Sequence, residues 1–563
     1  MCGIAGMVGS RSQKSVVGEM CESFAHRGPD NTGLWEDSNY CVLGHKRLSI
    51  IDLSSDGNQP FLSRSGRYSL VFNGEIYNYI ELKKELGGMP FRSDSDTEVL
   101  LYSFEKNGQD FLQDLNGMFA FSIWDIKEKK LFAARDRFGV KPFYYAIKEG
   151  QFYFASEIPS LFEAGIPRRP NEKVWASYFT SGKYSVGKET FWEGIYSLEP
   201  GHSLEFQNGK LKVWKWYDFE KAVFEESHHL LENPKEYLKE LLLDSTRLRF
   251  RADVPVGFNL SGGLDSSMLF SLINSQFGDD SNIEAFTFYT GDDRYDEIEY
   301  VKSLLEGSNF KLNPVLLSPQ EVPDLALQMA KQQMEPYGGL PTIAYSKLFK
   351  VAREKGFKVL LDGQGADESW AGYDYYFKDT NFTIQGVKSS PFRPQVLTRD
   401  FRELKDPQSE PQPFDNRLQN LQYRDLFQTK LQRALRFSDR VSMQFSTELR
   451  EPFLDYRLVE KVFSLPTEMK IQGNTQKWLF REIANDFLKN DIRLAPKRPL
   501  QTPQREWLGL ELKEWVLDQV KSLSGTGWFD KNEIDKELDL YMKGDKDSSF
   551  HIWQWVNTAL IFS

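Results

Sequence analysis

The chain has 563 residues, of which 40% are hydrophobic and 27% charged, and its formal net charge is −11. That length exceeds one ordinary core and predicts two domains, or at most three. The negative balance carries no basic stripe, which argues against nucleic acid as a partner, and no stretch approaches the roughly 18 uninterrupted apolar residues of a membrane helix.

In chain order, Met1-Cys2-Gly3-Ile4-Ala5-Gly6 shows no basic segment leading into an apolar run, so no signal peptide is expected and a cytoplasmic location follows. The three cysteines, Cys2, Cys21 and Cys41, are an odd count crowded into the first 41 residues. No Cys/His spacing suggests zinc, and a reducing compartment fits them. Helical spacing runs near Val16 to Phe24 and from Glu98 to Lys106. Met118 to Trp124, Leu131 to Ala134, Phe143 to Ala146 and Phe152 to Ala155 read as strands that tolerate apolar groups on both faces. Strands buried on two sides with helices outside them predict a layered α/β sandwich.

The pattern changes near Trp216. Glu225, Glu226 and Asn233-Pro234 read as linker, which puts a boundary between about 215 and 235. Beyond it Val254 to Leu260 reads as strand and Leu264 to Asn274 as helix. Ala285 to Tyr289 is strand, Asp296 to Glu306 and Tyr345 to Glu354 are helices, and Val359 to Leu361 is strand. Alternating elements of this kind predict a parallel sheet with right-handed crossovers. Lys378 to Asp415, polar and rich in proline, reads as an excursion or partly mobile loop with no function assigned. From Leu418 onward helical patterns dominate.

Cys2 becomes the first residue once Met1 is removed, and its thiol then lies beside an α-amine of pKa about 7.7–8.0. Such an amine can take the thiol proton and return it to a leaving group, so one residue supplies nucleophile and base. Alone, a cysteine at position 2 says little. Here Cys2-Gly3-Ile4 is followed by His26-Arg27-Gly28-Pro29-Asp30, Arg47-Leu48-Ser49-Ile50-Ile51-Asp52, Asn73-Gly74-Glu75-Ile76-Tyr77-Asn78 and Ser95-Asp96-Thr97-Glu98. In this order the blocks resemble the class II glutamine amidotransferase domain, of the N-terminal nucleophile type, over residues 2–215. The resemblance implies a four-layer αββα sandwich in which Cys2 attacks the side-chain amide of glutamine. It implies that Asn73 and the Gly74 N–H form an oxyanion hole, donors that typically supply ~2.7–4 kcal/mol each. Arg47 would pair with the glutamine α-carboxylate and Asp96 with its α-ammonium. Leu48, Ser49, Ile50, Ile51 and Glu75 would complete the pocket.

Ser261-Gly262-Gly263-Leu264-Asp265-Ser266-Ser267 follows an apolar strand and opens a helix. Glycines admit an anion to the backbone, the helix start offers unpaired N–H groups, and the serines add hydroxyls. The spacing is not the Walker pattern; it resembles the pyrophosphate loop of ATP pyrophosphatases. Asp362-Gly363-Gln364-Gly365-Ala366-Asp367-Glu368 repeats the arrangement after Val359-Leu360-Leu361. Parallel sheets gather ligands at the carboxyl ends of their strands, so both loops are expected to face one crevice. There Asp265 and Asp367 are candidates to share Mg²⁺. Lys477, in Gln476-Lys477-Trp478-Leu479-Phe480-Arg481, is the candidate cation near the phosphates.

With Arg440-Val441-Ser442-Met443 and Arg450-Glu451-Pro452-Phe453-Leu454-Asp455, these blocks resemble glutamine-hydrolysing asparagine synthetases along nearly the whole chain. That resemblance implies an ATP-pyrophosphatase domain over 236–563, with a parallel-sheet α/β core and a helical C-terminal part. It implies adenylation of a carboxylate, amide formation with ammonia from Cys2, and release of AMP. Leu260, Ser261, Gly262, Gly263, Asp265, Ser266, Phe288, Asp362 and Gly363 would hold ATP. The expected partners are glutamine, ATP and a carboxylate acceptor, and a homodimer stays open as the assembly. The second loop departs from the family's Ser-Gly-Glu-Gly-Ser/Ala-Asp-Glu. Asp362 stands for the serine and Gln364 for the first glutamate, to which the family assigns a part in handling the acyl-adenylate. Gln keeps the shape and loses the charge. These departures bear on the acceptor and not on the ammonia transfer; aspartate remains the leading acceptor, against a rival such as a uronic acid or a natural-product acid. A further rival is an inactive paralogue serving as a binding subunit.

Overall fold

The structure is a computed structural model and describes residues 2–228, 232–378, 390–407, 410–497, 501–544 and 548–563. Its first part holds two six-stranded antiparallel sheets. In one, Gly3–Val8 lies between Gln151–Ala155 and Cys41–Arg47. In the other, Gly117–Asp125 lies between Tyr68–Ile76 and Lys130–Arg135. The two-residue period of a strand decides what each face meets. Ala120 and Trp124 point at the facing sheet and pack with Ile4, Leu43 and Phe154. Phe119, Phe121 and Ile123 point the other way, onto Val99 to Tyr102 of the helix Asp96–Asn107. The helix Lys14–Ser23 covers the first sheet through Val17, Met20 and Cys21. Four layers result, helix, sheet, sheet, helix, as the resemblance implied.

The second part is built on a five-stranded parallel sheet. Its order runs Lys311–Leu316, Glu284–Tyr289, Val256–Asn259, Val359–Leu361, Glu448–Arg450. The order reverses between Val256–Asn259 and Val359–Leu361, and such a reversal opens a crevice at the carboxyl ends of the two strands. The loops starting at Ser261 and Asp362 leave from there. Two strands escaped the sequence reading. Lys311–Leu316 carries Pro314 and no apolar run, and Glu448–Arg450 has three residues, two of them charged.

Two expectations need correction. Glu225 and Glu226 do not sit in a linker: Phe219–Ser227 is a helix that buries Phe219 and Val223, and Asn233 caps the next helix through the Glu236 N–H. The 378–415 segment lies partly outside the described residues, and its described part is not a bare excursion. Val396, Leu397 and Phe401 are buried, and Phe401 stacks on Trp528 with centroids 4.9 Å apart.

The two parts meet along a buried, ion-paired seam. Arg450 is fully buried, 3.0 Å from Glu75 and 2.6 Å from Glu448. Arg27 is equally buried and bridges Glu157 and Asp439 at 3.0 and 2.9 Å. Asn116 donates to Asp455 at 2.9 Å, and the Tyr217 hydroxyl donates to Glu460 at 2.6 Å. Burial of a charge is tolerated only with such pairing.

Candidate functional site

Cys2 is 8% exposed and opens the central strand of the first sheet. Its N–H donates to Asn73 Oδ1 at 3.1 Å, and its carbonyl accepts from Arg27 Nε at 3.1 Å. Burial pushes the thiol up, opposed by the positive charge at the chain start, the Leu48 N–H and Arg47. Asn73 is fully buried, and among the described residues its Nδ2 has no partner. A buried donor left unpaired is costly, and it points to a ligand oxygen. Gly74 follows in the same strand, where a Cβ would meet the Met118 carbonyl at 2.2 Å.

A cavity of about 30 Å³ joins Cys2 to Arg47, Leu48, Ile50, Ile51, Gly74, Glu75 and Asp96. Arg47 is held by main-chain oxygens of Ile51, Asp52 and Ser54 and by Asn58 Oδ1. Among the described residues no carboxylate pairs with it, so a fixed positive charge faces the cavity. Asp96 accepts from the Ile76 N–H at 2.9 Å and starts a helix capped by Ser95. Burial raises its carboxyl to about 6. Glu75 Oε1 is buried with no partner among the described residues. Two expected glutamine contacts, Ser49 and Asn73, do not line this cavity; the Ser49 N–H is taken by Asp30 at 2.8 Å, and Asn73 lies beside the cavity through its bond to Cys2.

The second site is a cleft of about 280 Å³ at the sheet's reversal. It is lined by Ser261, Gly262, Gly263, Asp265 and Ser266 from one loop and by Asp362, Gly363, Gln364 and Asp367 from the other, with Lys477 across from them. A smaller hollow adjoins it, sharing Asn259, Ser261 and Tyr345 and adding Leu260 and Phe288. Lys477 decides the centre. It is 4% exposed, sits in the left-handed region at φ 54°, and lies 2.6 Å from both Asp265 and Asp367. A non-glycine residue held there is a strained backbone typical of functional positions. Lys497 pairs with the other Asp367 oxygen at 2.5 Å. Burial raises Asp265, while the two lysines outweigh burial at Asp367 and lower it.

Asp362 is buried and accepts from Asn259 Nδ2 at 2.8 Å. Gln364 Nε2 donates to Ser438 Oγ at 2.6 Å, and among the described residues its Oε1 has no partner. The structure brings these expected residues to one cleft, together with others that the sequence reading did not name. Lys497 and Tyr373 line the cleft. Gly372 leaves room for it: a Cβ there would stand 2.1 Å from Asp367 Oδ1 and 2.3 Å from Lys477 Cε. A glycine between Ala371 and Tyr373 was the only available signal.

Two family profiles match the chain, the glutamine amidotransferase domain over residues 1–217 and asparagine synthase over 237–563. The chain belongs to the asparagine synthase family. It is an asparagine-synthetase-like, glutamine-using ligase, and membership implies ATP as a substrate. Asparagine synthetase [glutamine-hydrolyzing] 3 of Bacillus subtilis is 30% identical over 96% of this chain and 93% of its own length. A putative asparagine synthetase of Methanocaldococcus jannaschii is 34% identical over 66% of this chain and 76% of its own. Amidase chry2 of Gibberella zeae is 27% identical over 92% of each. No described helix is long and apolar enough to cross a membrane. Within the family frame, the pocket around Cys2 and the cleft around Asp265 share no lining residue, so they are separate sites on one chain.

Proposed function

We propose that this chain converts aspartate to asparagine, using glutamine and ATP, with residues 2–215 releasing ammonia and residues 236–563 activating the acceptor. The observation that carries this is the pairing of a buried cysteine beside an unpartnered Asn73 amide with a phosphate-type loop at a sheet reversal. In the first site Cys2 is the nucleophile. Its sulfur attacks the glutamine amide carbon, the α-amine exposed by removal of Met1 takes the thiol proton, and that proton leaves with ammonia. Asn73 Nδ2 and the Gly74 N–H hold the oxygen that becomes negative. Arg47 and Asp96 hold the two charged ends of glutamine, and Glu75 Oε1 remains as an acceptor beside them.

In the second site Ser261, Gly262, Gly263 and Ser266 hold phosphate oxygens, and Leu260, Phe288, Asp362 and Gly363 bound the adenosine. Asp265 and Asp367 already converge on one cation, the Lys477 ammonium. A pair of hard oxygen donors beside a phosphate loop also suits Mg²⁺, which would neutralise phosphate charge there. Lys477 steadies the charge that develops as pyrophosphate leaves. Ammonia from Cys2 then displaces AMP from the acyl-adenylate.

Pyrophosphate release with ATP, Mg²⁺ and glutamine across a panel of acids tests the reading. Aspartate should give turnover and asparagine. Turnover with another acid and only background asparagine would sink it. A second reading, amidation of a different carboxylate, draws on Gln364, whose neutral amide replaces the family's glutamate. Gln364→Glu separates the two by its kcat/KM for aspartate. Little change would agree with an acceptor pocket already suited to aspartate, and a rise of tenfold or more, roughly 1.4 kcal/mol, would favour the second reading.

Asp96 makes a pH prediction. Its carboxyl must be ionised to pair with the glutamine ammonium, and burial raises it to about 6 in the empty site. The KM for glutamine should therefore climb as pH falls through 6, approaching tenfold per unit below it, while ammonium-dependent synthesis lacks that climb. A flat glutamine KM between pH 5 and 8 would remove Asp96 from this role.

A further inference from the structure

Besides the nucleotide loops, the 280 Å³ cleft is lined by Tyr373, Leu431 and Ala434. Leu431 and Ala434 come from the helix Lys430–Met443, whose first residue stands against Tyr373, just outside that lining. The Lys430 ammonium lies 5.2 Å from the centre of the Tyr373 ring and 5.6 Å from that of Tyr375. Among the described residues it makes no hydrogen bond and no ion pair. The carboxylates that act on it are Asp425 and Glu368. Both are committed elsewhere. Asp425 pairs with Arg424 at 2.9 Å and accepts from the Tyr375 and Tyr376 hydroxyls at 2.7 and 2.9 Å. Glu368 accepts from the Tyr373 hydroxyl at 2.6 Å.

A cation partly withdrawn from water with only ring faces for company is costly, and a bound anion removes that cost. Burial, with Arg433 one turn further on, lowers the Lys430 ammonium to about 8. The other cations lining the cleft are committed, Lys477 to the phosphates in the reading above, Lys497 to Asp367, and Arg481 to the main-chain oxygens of Gln476, Arg493 and Ala495. Gln364, hydrogen-bonded to Ser438 one turn beyond Ala434, adds no charge.

Resting on the acyl-adenylate reading above, we propose that Lys430 selects the acceptor by pairing with an acid group other than the one that is adenylated. The acceptor class is thus an acid with a second anionic group. Lys430 acts on binding and takes no part in bond making.

The test uses the full chain with Lys430→Met and Lys430→Arg, assayed for pyrophosphate release with aspartate and with β-alanine, which is aspartate without its α-carboxylate. β-Alanine is read as substrate or as competitive inhibitor. Lys430→Met should raise the aspartate KM roughly 10- to 150-fold, the range of one charge-assisted hydrogen bond. Its kcat, its KM for ATP and its glutaminase rate should stay within about threefold, and Lys430→Arg should recover most of the loss. The β-alanine constant should not move. An equal change for both acids, or an unchanged aspartate KM, would overturn the proposal. If the wild type ignores aspartate and uses another acid, the aspartate reading fails and the same comparison is made with that acid. A preferred acceptor carrying a single acid group would then overturn Lys430 as well.

Discussion

Cys2→Ala is expected to abolish glutamine-dependent synthesis, a fall of at least about 10³-fold, while synthesis from ammonium salts continues within about threefold of wild type. The substitution removes the sulfur and little else. Cys2 is anchored by its main chain, through the Asn73 side chain and Arg27 Nε, and alanine keeps both bonds. The strand Gly3–Val8 remains paired on both sides. The loss should therefore be chemical. Ammonium supplied from outside replaces the product of the first site, and that site shares no lining residue with the cleft around Asp265. The measurement is asparagine, or the amide of whichever acid is accepted, formed with glutamine and with ammonium chloride in parallel. Equal loss with both nitrogen sources would contradict two separable sites.

Asp265→Asn is the mirror experiment. Pyrophosphate release should fall by about 10²–10³-fold, the cost of deleting one preorganised charge at a reacting centre, and glutamine hydrolysis should continue. Asp265 begins the helix Leu264–Phe277 and reaches Lys477 through both oxygens, at 2.6 and 2.7 Å. Asparagine fits the same space but holds neither a divalent cation nor the lysine by charge. Lys477 would still have Asp367, so the loop should keep its shape and the defect should appear in turnover. A parallel collapse of glutaminase activity would show that Asp265 supports the whole molecule, and the assignment of separate roles would fail.

Much of both sites was legible in residue order because local physics leaves local traces. Ser261-Gly262-Gly263 before a helix reads as an anion loop, since only glycines and a free helix start expose the N–H groups. Trp124 among alternating aromatics marks a strand buried on both faces. The failures have equally local causes. Glu448–Arg450 is too short and too charged to show a period, yet it pairs in parallel with Val359–Leu361. Phe219–Ser227 reads as linker because its acidic face dominates the sequence, while Phe219 packs on Phe463 and Phe427 far along the chain.

By itself the amino-acid sequence named the candidates for the chemistry: a cysteine able to become terminal, a proposed oxyanion donor, a phosphate-type loop and a second acidic loop. Each is a short motif whose function follows from residue type and backbone geometry. Only the tertiary structure decided which charges meet. Arg450 joins Glu75 across 375 positions, Arg27 joins Asp439 across 412, and Lys477 closes on Asp265 across 212. Pairings of that span leave no periodic trace, because they are selected by the cost of burying an unpaired charge, which exists only once the chain has folded around it.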